Sequence, residues 1–145
     1  MLRQLLVGAT VSVCNIAIHA LVMATVVQMS SRIADAKATV GQPLRSTTVM
    51  IATASIATVP ILMAAHFSEV MVWSLTYAIV GAAPAGADPL YFAFVNYTTL
   101  GYGDVTPVER WRLLGPITAM NGVLMFGWST AVIFEVLRRT ARHGD

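Results

Sequence analysis

The chain has 145 residues, enough for one domain, with nine Lys and Arg against seven Asp and Glu for a formal charge of +2. Only 11% of the residues are charged and 57% are hydrophobic, where a soluble domain carries about a quarter charged residues; with a mean hydropathy of +0.71 this excludes a disordered chain, a disulfide scaffold and an ordinary water-soluble enzyme. The basic residues are scattered rather than striped, which argues against nucleic acid as a partner, and the lone Cys14 cannot close an intrachain disulfide.

Four runs lack Asp, Glu, Lys and Arg: residues 5–29, 46–65, 70–87 and 113–134, of 25, 20, 18 and 22 residues. A membrane helix needs about 20 apolar residues. The first run exceeds the roughly 7–15 residues of a signal-peptide core and has no small-residue cleavage site before Arg32, so it reads as an N-terminal membrane helix over 1–30. The second and third runs are separated only by His66-Phe67-Ser68-Glu69, with no Gly or Pro to turn the chain. They read as one helix over 46–80 with a possible kink at Pro60, ended by the breaker cluster Gly81-Ala82-Ala83-Pro84-Ala85-Gly86. At about 1.5 Å per residue it reaches about 52 Å, longer than a bilayer of ~40–45 Å, so tilt or a projecting end absorbs the excess.

Three spanning helices place the 31–45 linker and the C-terminal tail on one side, where Arg32, Lys37, Arg45, Arg138, Arg139 and Arg142 make six of the nine basic residues. Four helices would divide them four against five. The positive-inside rule therefore favours three helices, with the N-terminus outside and the C-terminus cytoplasmic. The expected location is the lipid bilayer of a plasma membrane, a bacterial inner membrane in particular.

Between the long helix and the last one, Asp88 can cap a helix and Pro89 suits its first turn. Residues 90–97 are aromatic and apolar, long enough for two turns and too short to span. Thr98-Thr99-Leu100-Gly101-Tyr102-Gly103-Asp104 then breaks the helix. A segment that enters a membrane and returns needs its irregular backbone shielded by protein or facing water, and glycines alternating with Leu100 and Tyr102 permit an alternating backbone twist.

This seven-residue stretch, between two spanning segments and after a short helix, resembles the selectivity filter of potassium channels. The resemblance covers residues 46–139 as outer helix, pore helix, filter and inner helix, and leaves 1–30 as an additional helix and 140–145 as a short tail. It implies an all-α pore in which backbone carbonyls of Thr99, Leu100, Gly101 and Tyr102, with the Thr99 hydroxyl, replace the hydration shell of K⁺ as the permeant ion. One filter per chain implies a homotetramer. Thr98, Gly103 and Asp104 would support the filter, Tyr102 turning its ring outward against the pore helices. Tyr91 stands where many family members have a Trp bonded to this Asp, and its hydroxyl is expected to take that role. Val95 replaces a buried Glu found in some members. Asn96 replaces the usual Thr, and its amide is expected to bond filter backbone.

Trp111 suits the outer membrane interface. In the inner helix Gly122 and Gly127 are either the flexible point of a gate or close-packing positions, and Asn121, Ser129 or Thr130 would face the cavity. Glu135 and Arg139, spaced i,i+4, read as a helix-surface pair. Nothing resembles a ligand-binding domain or an Arg-bearing voltage sensor, so gating is expected to depend weakly on voltage. No cofactor and no small-molecule ligand domain are expected.

Asn15 and His19 share one helix face, and His66 and Glu69 another. Glu69 is the acidic residue within the apolar sequence and needs a partner, for which His19 or His66 is expected. The plain reading is a helix–helix contact; the sharper one is a proton-sensitive cluster of His19, His66 and Glu69. Two rivals to a potassium channel remain: a pore subunit of a K⁺ uptake transporter or a non-selective cation channel, and, in another class, an intramembrane metal-binding or proton-linked enzyme using the same three residues. No nucleophile–base pair or phosphate loop favours an enzyme.

Overall fold

The computed structural model describes residues 1–40 and 47–142, and their side chains apart from those of 33–40, 47–53 and 142. The described residues form helices and connecting loops without strands: α1 (Leu2–Val40), α2 (Thr47–Val80), α3 (Pro89–Tyr97), a 3-10 turn at Glu109–Trp111 and α4 (Leu114–Arg142). Three helices are long and apolar enough to cross a membrane, over Leu2–Arg32, Ala54–Val80 and Glu109–Ala141. The chain is an all-α multi-pass membrane protein.

α1 continues well past the apolar run, so residues 31–40, read as linker, are helical. Ala34, Ala36 and Ala38 favour the helix, and no Gly or Pro interrupts it before Gly41. Residues 41–46, including Arg45 and the first residue expected in the second helix, and 143–145 lie outside the described residues.

α2 passes through His66-Phe67-Ser68-Glu69 unbroken and carries Pro60 inside it. Its end is set by Gly81, whose φ of +63° reverses the chain. The Ala82 amide then donates to the Tyr77 carbonyl at 3.0 Å, the 6→1 bond that closes a helix C-terminus when the residue after the cap is left-handed.

The helices contribute to two compact units. The first comprises Met1–His19 and His66–Phe126. Its core joins Val70, Trp73 and Tyr77 of α2, Phe92, Ala93 and Tyr97 of α3, and Leu114 and Met125 of α4. Ring contacts bind it, Tyr77 to Phe92 at 4.7 Å between centroids and Trp73 to Tyr77 at 6.0 Å. Polar links cross it as well: the Tyr77 hydroxyl meets Thr118 Oγ1 at 2.6 Å, and the Gln4 side chain accepts from the Leu113 amide at 2.8 Å. Between membrane helices, where lipid is as apolar as Leu, such packing and hydrogen bonds carry the association. α1 approaches closely at Gly8, where an added Cβ would stand 2.7 Å from Ile117.

Trp111 is 3% exposed in this core, with the Arg3 guanidinium 5.3 Å from its ring centroid. The 3-10 turn before α4 directs the ring inward; the sequence offers only an aromatic beside two arginines.

The second unit comprises Ala20–Ala65 and Gly127–Asp145, with Met23, Val26, Leu62, Val132 and Val136 as its buried core. Glu135 pairs with Arg139 at 2.6 Å and with Arg138 at 2.7 Å, extending the surface pair expected from spacing.

Candidate functional site

α3 starts where Asp88 accepts from the Leu90 amide at 2.9 Å, with Pro89 at the first helical position. Its nine residues rise about 13 Å, too little to cross a bilayer. Beyond it the chain stays tied to the helix end. The amides of Thr98 and Thr99 donate to the carbonyls of Phe94 and Asn96, both at 3.0 Å, and those of Leu100 and Gly101 both reach the Val95 carbonyl, at 3.0 and 3.4 Å.

The backbone then alternates. Thr99, Gly101 and Gly103 have φ of +60°, +58° and +78°, while Leu100 and Tyr102 between them do not enter the left-handed region. The alternation expected from two glycines thus has a third member. Left-handed backbone costs an L-residue roughly 1–2 kcal/mol, and it is rarer still for a β-branched side chain such as Thr99. A residue held there against its preference persists only where the surrounding structure over-determines it. All seven residues of the 98–104 stretch are exposed on the single chain, including the large Leu100 and Tyr102 at 52% and 68%.

The Tyr91 hydroxyl donates to the Asp104 carboxylate at 2.5 Å, tying the start of α3 to the end of the stretch. The hydrogen bond to Asp104 pushes the Tyr91 phenol above its ordinary titration range. Asn96 corrects an expectation: its side-chain amide does not bond the 98–104 backbone but turns back to the Phe92 carbonyl at 2.9 Å. The i→i−4 carbonyl lies within reach of a short amide on a helix, and it is the Asn96 main-chain oxygen that takes the Thr99 amide.

On α4, Gly122 is pressed against α3: a Cβ there would lie 1.9 Å from the Tyr97 carbonyl oxygen. Close approach accounts for this glycine, and α4 runs through it without interruption. Gly127 has no described atom within 4 Å of an added Cβ. Asn121 does not face a cavity. It is 2% exposed, and its side-chain oxygen accepts from Trp73 Nε1 at 3.0 Å and from Asn15 Nδ2 at 3.1 Å.

His19, His66 and Glu69 come together, and a fourth residue joins them. His19 Nδ1 lies 2.7 Å from Glu69 Oε1, the Tyr97 hydroxyl donates to Glu69 Oε2, and His66 Nδ1 lies 3.0 Å from that hydroxyl and 3.5 Å from Oε2. His19 and Glu69 are fully buried. Ligand-type atoms of the two histidines and Glu69 fall within 4.8 Å of one another. The pairs on each helix were visible as spacing, but Tyr97 sits in an apolar aromatic run that gives no sign of a polar partner.

A family model described as an ion channel matches residues 65–139, just over half of the chain. Neither a curated protein nor a solved structure matches.

Proposed function

Because the chain belongs to the ion channel family, we propose that it is a potassium-selective pore that conducts K⁺ passively through the 98–104 stretch. The observation that carries this reading is the alternation of left-handed residues at Thr99, Gly101 and Gly103. A strand that alternates between mirror-related conformations can turn successive carbonyls the same way, which a coordination column for a dehydrated cation requires. In this reading the ligands are the carbonyls of Thr99, Leu100, Gly101 and Tyr102 with the Thr99 hydroxyl.

Assembly follows from the same stretch. Irregular backbone inside a membrane is tolerated only where protein or water covers it, and this stretch is exposed on one chain. Four copies around an axis would enclose the ion, bury Leu100 and Tyr102 against neighbouring subunits, and let Tyr91 and Asp104 fasten the outer mouth. The N-terminus of α1 and the C-terminus of α4 would lie on opposite faces of the membrane, the basic C-terminal end in the cytoplasm.

The experiment is reconstitution into liposomes under opposed K⁺ and Na⁺ gradients. The wild type is expected to reverse near the K⁺ equilibrium potential, and Gly101→Ala, which forces a side chain onto a residue at φ +58°, is expected to move the reversal toward zero. A wild type indifferent to the two ions replaces this reading with a non-selective cation pore.

A further inference from the structure

Conduction along the 98–104 stretch makes no use of the buried acid–base cluster. Glu69 lies at 0% exposure on a spanning helix, where a carboxylate persists only with partners. Both its oxygens are engaged, and from different helices: Oε1 by His19 of α1, Oε2 by Tyr97 of α3. The titratable groups facing it are His19 from α1, His66 from its own helix and Tyr97 from α3. α4 brings Phe126, whose ring centroid is 4.4 Å from that of His66, and Asn121, which reaches the cluster through Asn15; neither titrates. Asn15 Nδ2 in turn lies 3.4 Å from the Glu69 carbonyl.

The charge arithmetic of this set is narrow. One carboxylate and one protonated imidazole make it neutral. A second proton leaves an excess positive charge in a dry site, and removing the first leaves the carboxylate alone. Imidazole is the side chain suited to exchanging a proton near neutral pH, and two of them face this carboxylate, at 2.7 and 3.5 Å.

Tyr97 converts that count into a position. It is the last residue of α3 and adjoins Thr98 and Thr99. Its hydroxyl lies in the cluster, while its carbonyl is seated against Gly122. A change in what its hydroxyl can bond therefore pulls on the residue from which the 98–104 stretch departs.

We propose that His19, His66 and Glu69 form a proton-binding regulatory site, and that α1, through His19, sets the conducting state of the pore by way of Tyr97. This rests on the reading of 98–104 as the ion path. The singly protonated, neutral cluster holds Tyr97 in the arrangement seen here and supports conduction; a second proton loosens it. His19, His66 and Glu69 are positioning residues, since none adjoins the proposed ion ligands.

The test uses the full-length protein in liposomes, with K⁺ flux measured between pH ~5.5 and ~7.5. The wild type is expected to lose flux at least about threefold toward the acid end. His19→Gln and Tyr97→Phe, the second removing only a hydroxyl, are expected to flatten the profile. A wild type whose flux ignores pH overturns the proposal. So does a uniform loss of flux at every pH in both variants, which would mark the cluster as packing. A wild type flat in pH but inhibited by added Zn²⁺ overturns it in favour of a metal site. A wild type that fails to discriminate K⁺ from Na⁺, yet has a pH profile that both variants flatten, refutes the selectivity reading and leaves the proton site standing.

Discussion

The main-chain carbonyl of Tyr97 occupies the place that a side chain on Gly122 would need, 1.9 Å from its Cβ position. A backbone atom cannot rotate away as a side chain can, so the methyl group must push α3 and α4 apart. Gly122→Ala is expected to destabilise the protein by about 1–3 kcal/mol, the usual range for overpacking. Gly127→Ala meets no described atom within 4 Å and replaces a helix-interior glycine, which favours the helix by up to ~1 kcal/mol. Thermal unfolding of the two purified variants in one detergent should separate them in opposite directions. Equal behaviour would mean that the interface between α3 and α4 yields.

Tyr91 and Asp104 give a prediction with a defined sign in pH. Since Asp104 raises the phenol's titration point, their hydrogen bond holds from neutral pH past tyrosine's ordinary value of about 10. On the alkaline side it is lost as pH climbs through the raised value. Tyr91→Phe should therefore show its defect at neutral pH, as current that decays faster during sustained conduction. Wild-type current should approach that behaviour only in strongly alkaline solution. Equal decay in the two proteins at neutral pH would show that this contact does not brace the outer mouth.

Asn121 serves two donors with one oxygen, so its loss should cost more than one bond. Asn121→Ala leaves Trp73 Nε1 and Asn15 Nδ2 buried without that acceptor, and stranding a buried polar group costs about 1–3 kcal/mol. A double-mutant cycle with Asn15→Ala isolates the interhelical share, for which membrane proteins average about 0.6 kcal/mol. A coupling of zero would place the whole cost on Trp73.

What could be read from the chain alone was what depends on near neighbours. The three spans, the continuity of α2 through 66–69, the Asp88-Pro89 start of α3 and the break after Tyr97 all follow from run length, turn formers and caps, each decided within a few residues. The resemblance at 98–104 likewise needed no knowledge of what lies opposite. Apart from the helical backbone of 31–40, the differences concern where a side chain ends up. Asn121 looked like a cavity residue because its partner Asn15 is 106 positions away. Asn96 finds a nearer acceptor in its own helix. Thr99 escaped notice for a different reason. Its left-handed backbone runs against its own preference and is imposed by what precedes it: its amide is held by Asn96, and the next two amides by Val95.

Gly86 and Gly103 allow local strain to be separated from function. Their φ values are +82° and +78°, and neither has a described atom within 4 Å of an added Cβ. An alanine at either position therefore meets the same backbone penalty, roughly 1–2 kcal/mol, with no clash added. Gly86 lies in the turn between α2 and α3, Gly103 inside the proposed ion path. Gly86→Ala and Gly103→Ala should lower thermal stability by similar amounts, while only Gly103→Ala should shift the K⁺/Na⁺ reversal potential toward zero. If Gly86→Ala moved the reversal potential as far, selectivity would be answering to overall stability and not to the conformation of this stretch. If Gly103→Ala left it in place while lowering stability, the strain would be real and the ion path would lie elsewhere.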